Sequence, residues 1–338
     1  MFHSSGAKLL YSANPKMNIQ DACLYCIDIS TGETLRKLTL GDKVGFNWMA
    51  LAADNSKIAI PATTGLIVVD LKSWSIIKTL AVIPNATCAI YSPDSEYLAA
   101  STSEQIFLLN ASAHNNIIAF SSRTNSSSSL YGYTSLEFSR SSLLLATSSN
   151  DMTVIIWSTP ELIQLRMFIG HTQRSNSFTF LTDNKLASQS FDNTIRVWDA
   201  DTGDLKALIH ECCVHFHTYL TSSPSGKTFA SFGSYTRVNI FDSYTFECIR
   251  FFCLSGAKLN GVTYLDDNRL IATELLTSFY NIVSITTGEE VVMLFEEGLG
   301  LSCQPVVTNV DRTCNTLNLT HNRYLLCSTA PATCFREP

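Results

Sequence analysis

Three residues of the types that carry out nucleophilic catalysis lie near one another in the sequence: His171, Ser188 and Asp192. In many hydrolases a histidine activates a serine hydroxyl and an aspartate orients the histidine. The chain contains no G-x-S-x-G turn, no glycine-rich phosphate loop and no H-E-x-x-H helix. Whether these three side chains do chemistry therefore depends on the elements that position them.

The densest group of possible metal ligands follows shortly afterwards. It comprises His210, Glu211, Cys212, Cys213, His215 and His217. Cysteine and histidine bind zinc, but this spacing lacks the paired C-x-x-C and H-x-x-x-H arrangements of structural zinc sites. Cys213, His215 and His217 alternate, which is the ordinary pattern for one face of a strand. We therefore predict no metal and no cofactor.

A C-x-x-C pair occurs near the start of the chain, at Cys23 and Cys26. Residues three apart in a strand point to opposite faces, so we expect two small core residues rather than a shared metal or a disulfide. The eleven cysteines are scattered along the chain. This usage is typical of a reducing compartment. The sequence predicts a cytoplasmic protein, with the nucleus as the alternative.

The three candidate catalytic residues belong to one unit, residues 170–203, which reads GHTQRSNSFTFLTDNKLASQSFDNTIRVWDADTG. Short β-prone runs in this unit are separated by polar turns at Asp183-Asn184 and Asp192-Asn193. Such runs at intervals of about 8–12 residues are typical of small antiparallel sheets. Most of the remaining chain consists of weaker copies of this unit.

Aligning the copies on the turn near the end of each unit gives a column that is apolar throughout. Its members are Ile27, Val69, Leu109, Trp157, Trp198, Phe241 and Val283, separated by 42, 40, 48, 41, 43 and 42 residues. The next column is made of short polar residues: Asp28, Asp70, Asn110, Ser158, Asp199, Asp242 and Ser284. A strand that is buried between neighbouring sheets needs an apolar residue at the first of these positions. A sharp turn favours a short polar residue at the second. The columns indicate seven units.

A second turn recurs earlier in each unit, between two apolar runs. It lies at residues 4–6, 53–55, 92–94, 139–141, 182–184, 223–226 and 266–268. These are the positions expected for a turn between a first and a second strand. The one long spacing, 48 residues, coincides with the low-complexity stretch 121–129, SSRTNSSSS. We interpret this stretch as a flexible, solvated loop, and leave open whether it is phosphorylated.

The Gly170-His171 opening and the Trp198-Asp199 ending resemble the WD-repeat (WD40) family, whose unit of about 40–45 residues forms one four-stranded propeller blade. The resemblance implies an all-β chain that forms a single β-propeller domain over residues 1–338, with seven four-stranded blades. It is strong only over about residues 130–245.

The N- and C-terminal segments are expected to close the ring. The first unit lacks a first strand, and the closing segment 296–338 is long enough to supply it. Residues 315–320 and 323–327 look like two strands within this segment. Closure would remove the exposed sheet edges that invite aggregation. Because the segment carries one strand more than seven blades require, an eighth, incomplete blade is the alternative.

The resemblance also assigns a structural tetrad, namely His171, Ser188, Asp192 and Trp198. In such units the aspartate accepts a hydrogen bond from the histidine. The histidine bonds the serine hydroxyl, and the hydroxyl in turn accepts the indole N–H. A buried, fully satisfied network of this kind stiffens its blade. The resemblance therefore favours a structural role for these residues over catalysis.

WD-repeat proteins generally bind partners on the face built from two sets of loops: those before the first strand and those between the second and third strands. We call this the top face. The equivalent positions of units four to six predict a partner site at Arg174, Phe191, Tyr133, Asn150, Gln173 and Ser234. Exposed tyrosine, phenylalanine and arginine are frequent interface hot spots.

The resemblance predicts a non-enzymatic scaffold or adaptor that docks a partner peptide or domain, as a subunit of a multiprotein complex. The alternative is a propeller enzyme, a hydrolase or lyase with its site at the channel mouth, although only seven histidines and 15% charged residues are available. A net charge of −6 without a cluster of basic residues argues against nucleic acid. No run of apolar residues is long enough to span a bilayer, and no small-molecule substrate is expected.

Overall fold

The computed structural model describes residues 8–13, 23–28, 33–41, 49–112, 117–122, 133–149, 151–210, 219–234, 237–253, 259–274, 279–288, 290–294 and 324–328. In these ranges the chain forms 28 strands, which are arranged in seven four-stranded sheets. Nothing in the described ranges is a helix that could cross a membrane. The all-β architecture predicted from the sequence is confirmed.

The strands follow one another along the chain, so each sheet is a local unit. Sheet one contains β1 (Lys8–Ala13), β2 (Cys23–Asp28) and β3 (Thr34–Thr39). Sheet two contains β4 (Ala50–Leu51), β5 (Lys57–Ala62), β6 (Gly65–Asp70) and β7 (Ser75–Leu80). Sheet three contains β8 (Cys88–Tyr91), β9 (Tyr97–Ser101), β10 (Gln105–Asn110) and β11 (Ile117–Ser122). Sheet four contains β12 (Tyr133–Phe138), β13 (Leu144–Ser149), β14 (Val154–Ser158) and β15 (Gln164–Phe168).

The remaining sheets repeat this plan. Sheet five contains β16 (Ser175–Thr182), β17 (Lys185–Ser190), β18 (Thr194–Asp199) and β19 (Leu205–His210). Sheet six contains β20 (Tyr219–Ser222), β21 (Thr228–Ser234), β22 (Arg237–Asp242) and β23 (Cys248–Cys253). Sheet seven contains β24 (Leu259–Asp266), β25 (Arg269–Glu274), β26 (Phe279–Ser284) and β27 (Glu290–Leu294). The last strand, β28 (Tyr324–Ser328), joins sheet one beside β1.

The core lies between successive sheets rather than within any one of them. Among the described residues, six apolar clusters each combine residues of two neighbouring sheets. The first strands of sheets two to seven lie beside one another in chain order. A single sheet of this size cannot bury its own apolar faces, so stacking against both neighbours supplies the core. This stacking is the arrangement of propeller blades.

The apolar column of the sequence has one consistent place in these sheets. In six sheets the pairing of the third with the fourth strand is irregular immediately before the column residue, as between Val197 and Trp198. The described side chains of the column are buried: Val69, Leu109, Trp157, Trp198, Phe241 and Val283. A bulge bends the strand and strengthens its twist. The repeated bulge therefore turns each fourth strand in the same way.

The polar column caps the following turn through its own side chains. Asp199 Oδ1 accepts the N–H groups of Asp201 and Thr202 at 3.0 and 2.9 Å. Asp242 Oδ1 accepts two N–H groups at 2.8 Å in the same way. Backbone N–H groups that a turn would otherwise leave unpaired are satisfied locally. The bonds to Thr202 and Thr245, the first cause in each case, lower the pKa of Asp199 and Asp242.

Sheet one is completed by the C-terminal strand, but with a different pairing from the other sheets. β28 runs parallel to β1, with Tyr324 opposite Lys8, whereas the first two strands of the other sheets are antiparallel. Of the two strands predicted in the tail, the described one corresponds to residues 323–327. The stretch 315–320 and the first turn, residues 4–6, lie outside the described residues.

Two other expectations meet the structure at specific residues. β11 continues through Ser122, so the first two residues of the predicted loop 121–129 belong to a strand, and 123–129 lie outside the described residues. Cys23 and Cys26 are both buried, 2% and 4% exposed, as expected of core residues.

Candidate functional site

The side chains of His171, Ser188, Asp192 and Trp198 form one hydrogen-bonded chain in sheet five. His171 Nδ1 lies 2.9 Å from Asp192 Oδ2, and its Nε2 lies 2.8 Å from Ser188 Oγ. Trp198 Nε1 donates to the same hydroxyl at 2.9 Å. The chain connects the loop before β16 with β17, the next turn and β18. It therefore links the segment that leads into β16 to the second and third strands of the sheet.

Asp192 is the most heavily bonded member of this network. Its Oδ2 also accepts the N–H of Thr172 at 3.0 Å, and its Oδ1 accepts the N–H and hydroxyl of Thr194 at 3.0 and 2.6 Å. Burial opposes ionisation of this carboxyl group, but the bonds from Thr194, Thr172 and His171 outweigh it and lower its pKa. Asp192 is therefore an ionised acceptor, and it fixes both the turn and the imidazole.

The imidazole is held in one tautomer. Burial lowers the pKa of His171 and outweighs the opposing effect of Asp192, so the ring is neutral. Nδ1 then carries the proton donated to Asp192, and Nε2 accepts the hydroxyl hydrogen of Ser188. The serine oxygen accepts from the indole at the same time. Every polar side-chain atom of this four-residue network therefore has a hydrogen-bond partner.

This geometry does not suit nucleophilic catalysis. Ser188 is 0% exposed and His171 is 7% exposed, so no substrate carbonyl can reach the hydroxyl without unfolding the sheet. A triad serine must also present its oxygen to a substrate, and here that oxygen receives the indole N–H of Trp198. The arrangement stabilises the sheet, with Phe168 packed 5.3 Å from the Trp198 ring.

Three predicted partner-site residues meet at the same end of sheet five. Gln173 and Arg174 directly precede β16, and Phe191 directly follows β17. The N–H of Phe191 donates to the carbonyl of Arg174 at 3.1 Å, and the Ser190 hydroxyl donates to the carbonyl of Gln173 at 2.9 Å. The side chains of Gln173 and Arg174 are exposed and that of Phe191 is partly buried. The structure thus brings a cation and an aromatic ring together on a fixed backbone.

The other three predicted partner-site residues are placed less completely. Tyr133 is the first residue of β12, opposite Ser149, and Ser234 is the last residue of β21, opposite Arg237. Both therefore lie at strand ends next to the top face. Asn150 lies outside the described residues. Of the possible metal ligands, His210 is exposed at the end of β19. The other members of that set, residues 211–217, lie outside the described residues. Across the described residues, no three His, Cys, Asp or Glu side chains form a metal-binding group.

A largely buried carboxyl group that sequence reasoning did not single out joins sheets four and five. Glu137 on β12 accepts the N–H of Phe180 and the hydroxyl of Thr179, both at 3.0 Å, on β16. Burial raises the pKa of Glu137 to about 7, although these two bonds and the charge of Arg140 act to lower it. Ser177 makes the equivalent link one sheet further on, because its hydroxyl accepts the N–H of Leu220 at 2.7 Å. The available signal was an acidic residue between two apolar ones, Leu136 and Phe138, directly before the predicted turn at 139–141.

A second feature missed from the sequence is an arginine that links neighbouring sheets near the rim. Arg36, Arg166 and Arg250 occupy the same position in β3, β15 and β23, nine residues after the apolar column. Arg166 donates from Nε and Nη2 to the carbonyl of Asp201 at 3.0 and 2.6 Å. The other two reach carbonyls of the corresponding turns, those of Lys72, Ile285 and Thr286.

Replacing Arg166 by methionine is expected to lower the free energy of unfolding by about 1 kcal/mol, because two charge-assisted bonds are lost at an exposed position. The measurement is the urea midpoint followed by circular dichroism. Arg174→Met is the matched control, since the described residues show no hydrogen bond from its guanidinium group. Equal midpoints for the two variants would contradict a linking role for Arg166.

Comparison with known proteins gives two kinds of match. The family described as "WD domain, G-beta repeat" matches residues 124–158 and 163–199. COMPASS component SWD3 of Saccharomyces cerevisiae is 31% identical over 175 residues, which cover 49% of this chain and 51% of that protein. Pre-mRNA-processing factor 17 of the same yeast is 33% identical over 82 residues, 23% of this chain and 18% of that protein.

The chain spans about half the length of the first of these curated relatives and less of the second. The two matched repeats correspond to sheets four and five, which contain the Trp157 and Trp198 columns. The same four-stranded plan continues in the sheets on either side. The chain therefore contains WD repeats in sheets four and five, and its repeated four-stranded sheets are consistent with a WD-repeat β-propeller fold.

Proposed function

We propose that this protein is a non-enzymatic scaffold that docks a peptide or domain of a partner protein on its top face. The site is centred on Gln173, Arg174 and Phe191, with Tyr133, Asn150 and Ser234 at its margin. The observation that carries the proposal is the fixed juxtaposition of an exposed arginine and an aromatic ring, bonded through their backbones at 3.1 Å. Rigid presentation reduces the ordering cost of binding.

The tetrad holds the two loops of this site in place. Asp192 follows Phe191 in the chain and bonds the N–H of Thr172, which lies next to Gln173. The two loops that present the site are therefore held together by one ionised carboxylate. Arginine and aromatic residues are enriched among interface hot spots. A buried network that orients exposed groups of these types suits recognition of a protein surface.

The relatives support membership of a multiprotein complex. One is named as a component of COMPASS, and the other as a pre-mRNA-processing factor. Because pre-mRNA processing is a nuclear process, we place this protein in the nucleus rather than primarily in the cytoplasm, which the cysteine usage had favoured. Microscopy of the tagged full chain tests this placement, and an exclusively cytoplasmic signal would contradict it.

The decisive experiment is affinity purification from the native source with the wild type and Arg174→Ala/Phe191→Ala. We expect the recovery of a common set of partners to fall at least about tenfold, as for loss of hot-spot residues. The matched control is Lys227→Ala/Tyr244→Ala. It removes an exposed cation and an exposed ring from the end of sheet six that lies opposite the top face. Circular dichroism must show that both variants are folded.

Partners retained by the top-face variant, or lost equally from the control, would contradict docking at this site. A wild-type chain that recovers no stable partner would contradict the scaffold function itself. In that case the predicted alternative, an enzyme with residues at the channel mouth, would be the next hypothesis to test.

A further inference from the structure

A partly buried arginine on β18 has hydrogen-bond donors without an acceptor. Among the described residues, Arg196 makes no ion pair and no hydrogen bond, and its Nε is buried. A guanidinium group is always charged and presents five N–H donors. Burying such a group without a partner is unfavourable, and native proteins rarely do so. Because Arg196 is only partly buried, an acceptor from outside the chain can reach it.

The fold holds this guanidinium group beside the loop that precedes β16. A β-carbon on Gly170 would lie 2.5 Å from Nη1 of Arg196, so only glycine leaves room for the group in this position. The carbon Cζ of Arg196 lies 5.8 Å from the centre of the Trp198 ring. This cation–π contact uses the face of the ring and leaves the N–H donors unpaired. The cation is therefore fixed in place without being neutralised.

The described residues at the top end of sheets four and five include two carboxylates, and both are engaged in their own turns. Asp151 Oδ1 accepts the N–H and the hydroxyl of Thr153 at 3.1 and 2.6 Å. Both oxygens of Asp192 accept hydrogen bonds within sheet five. Neither carboxylate is paired with Arg196. The chain therefore supplies no counter-charge to this arginine in its described part.

A second unpaired cation lies on the same loop. Arg174 is exposed, and the described residues show no hydrogen bond or ion pair from its guanidinium group. It follows Gly170 by four residues, so the two α-carbons are at most about 14 Å apart. Two arginines without a carboxylate partner thus flank the loop 170–174 at the top face. Their combined charge attracts an anion.

Apolar side chains border the cation of Arg196. Leu208 lies directly opposite Arg196 on β19, and residues paired in this way share a face of the sheet. Leu208 is 44% exposed, and Ile169, next to Gly170, is 72% exposed. An exposed cation beside apolar surface suits a protein segment, which offers both kinds of contact, better than a free inorganic ion.

We propose that Arg196 and Arg174 bind carboxylate side chains of an acidic segment of the partner protein, which lies across residues 170–174. This inference rests on the proposed docking function and adds the chemistry of the docked segment. Charge-assisted hydrogen bonds between arginine and carboxylate are stronger than neutral ones, and a carboxylate carries a single charge, as each guanidinium group does. Glutamates two to four residues apart in an extended segment can reach both arginines, because such a segment advances about 3.3 Å per residue.

The test uses three fluorescein-labelled peptides and the full chain, with binding measured by fluorescence anisotropy. The first peptide alternates threonine and glutamate, so that its carboxylates share one side when it is extended. The second has glutamine in place of glutamate, and the third has phosphoserine. We expect the glutamate peptide to bind at least about tenfold more tightly than the glutamine peptide, with a preference that weakens in high salt.

Arg196→Met is expected to weaken binding of the glutamate peptide at least about tenfold, because it removes the cation and keeps an apolar stem. Lys206→Met is the matched control and is expected to leave binding unchanged. It removes an equal charge from sheet five, but one that pairs with Asp199 and Asp204 at the opposite end of the sheet. The urea midpoint of Arg196→Met is expected to be no lower than that of the wild type, because the charge it removes is unpaired.

Equal affinity for the glutamate and glutamine peptides, an equal loss in both variants, or no binding to the wild type would overturn the proposal. Binding of the phosphoserine peptide about tenfold tighter than that of the glutamate peptide would assign the site to phosphate and also overturn it. A lower urea midpoint for Arg196→Met with unchanged peptide binding would show that Arg196 is structural.

Affinity purification separates this proposal from the docking function on which it rests. Partners that are lost from Arg174→Ala/Phe191→Ala but retained by Arg196→Met would leave docking intact and overturn the role of Arg196. Partners retained by both variants would contradict docking at the top face itself.

Discussion

Replacing Trp198 by alanine is expected to lower the free energy of unfolding by about 3–5 kcal/mol, the usual cost of truncating a large buried aromatic residue. The ring is 5% exposed and packs between sheets four and five, in the cluster that contains Ile156 and Phe180. Truncation leaves a cavity and also removes the indole N–H from the Ser188 hydroxyl. The measurement is urea unfolding followed by far-ultraviolet circular dichroism.

Two further variants separate packing from the hydrogen bond. Trp198→Phe retains most of the apolar contact and loses only the indole N–H, so a loss of about 1–2 kcal/mol is expected. Trp157→Ala should resemble Trp198→Ala, because Trp157 is equally buried and donates to Thr147 at 2.9 Å. A loss below about 1 kcal/mol for Trp198→Ala would show that the column does not hold the sheets together.

The second large effect is expected at Glu137, and it depends on pH. Burial raises the pKa of this carboxyl group from 4.5 to about 7 in the folded chain. The folded state therefore holds the proton more tightly than the unfolded state. The resulting stabilisation is complete below about pH 4.5 and is lost as the pH rises through about 7. Because the side chain is partly exposed, we expect a loss of about 1–3 kcal/mol rather than the full value of the shift.

Glu137→Gln is expected to abolish this loss. The amide oxygen can accept from Phe180 N–H and the Thr179 hydroxyl as the carboxylate does, but it carries no charge to desolvate. At pH 8 the variant should be about 1–3 kcal/mol more stable than the wild type, and at pH 5 the two should be nearly equal. Urea unfolding at the two pH values measures the difference.

The control for this prediction is Glu137→Leu, which removes the acceptor and leaves the N–H of Phe180 unpaired. It should be less stable than the glutamine variant at both pH values by about 1–3 kcal/mol. A wild type and a glutamine variant with the same dependence on pH would rule out Glu137 as the group that titrates. Greater stability of the wild type at pH 8 would mean that the ionised carboxylate is stabilising.

The repeat itself could be predicted from the sequence because it depends on interactions between residues that are close together in the chain. The apolar column from Val69 to Val283 and the short polar residues that follow it recur at nearly constant spacing. Each column residue reports burial of its own strand, and each aspartate bonds N–H groups two or three residues ahead, as Asp199 does. Such information is contained within a few residues, so no knowledge of neighbouring sheets is required. The all-β architecture and the paired ends of the chain followed from it.

The positions of the top-face residues could be predicted only in part from the sequence. A fixed offset from Asp192 puts Phe191 directly after β17, and a fixed offset from His171 puts Arg174 directly before β16. The same offsets place Tyr133 and Ser234 at strand ends rather than within loops, because β12 and β21 are extended by pairing with their neighbours. How far a strand continues depends on its partner, which the spacing of one unit does not record.

Contacts between sheets were decided by tertiary structure alone. Glu137 and Phe180 are 43 residues apart, and Arg166 and Asp201 are 35 apart. They meet because the packing of whole sheets sets the distance between them. The exposure of Leu165 and Met167 on β15 was also decided at this level, because apolar residues in a strand ordinarily predict a buried face. The sequence by itself determined the repeating unit, whereas the stacking of the units decided which side chains join them and which remain exposed.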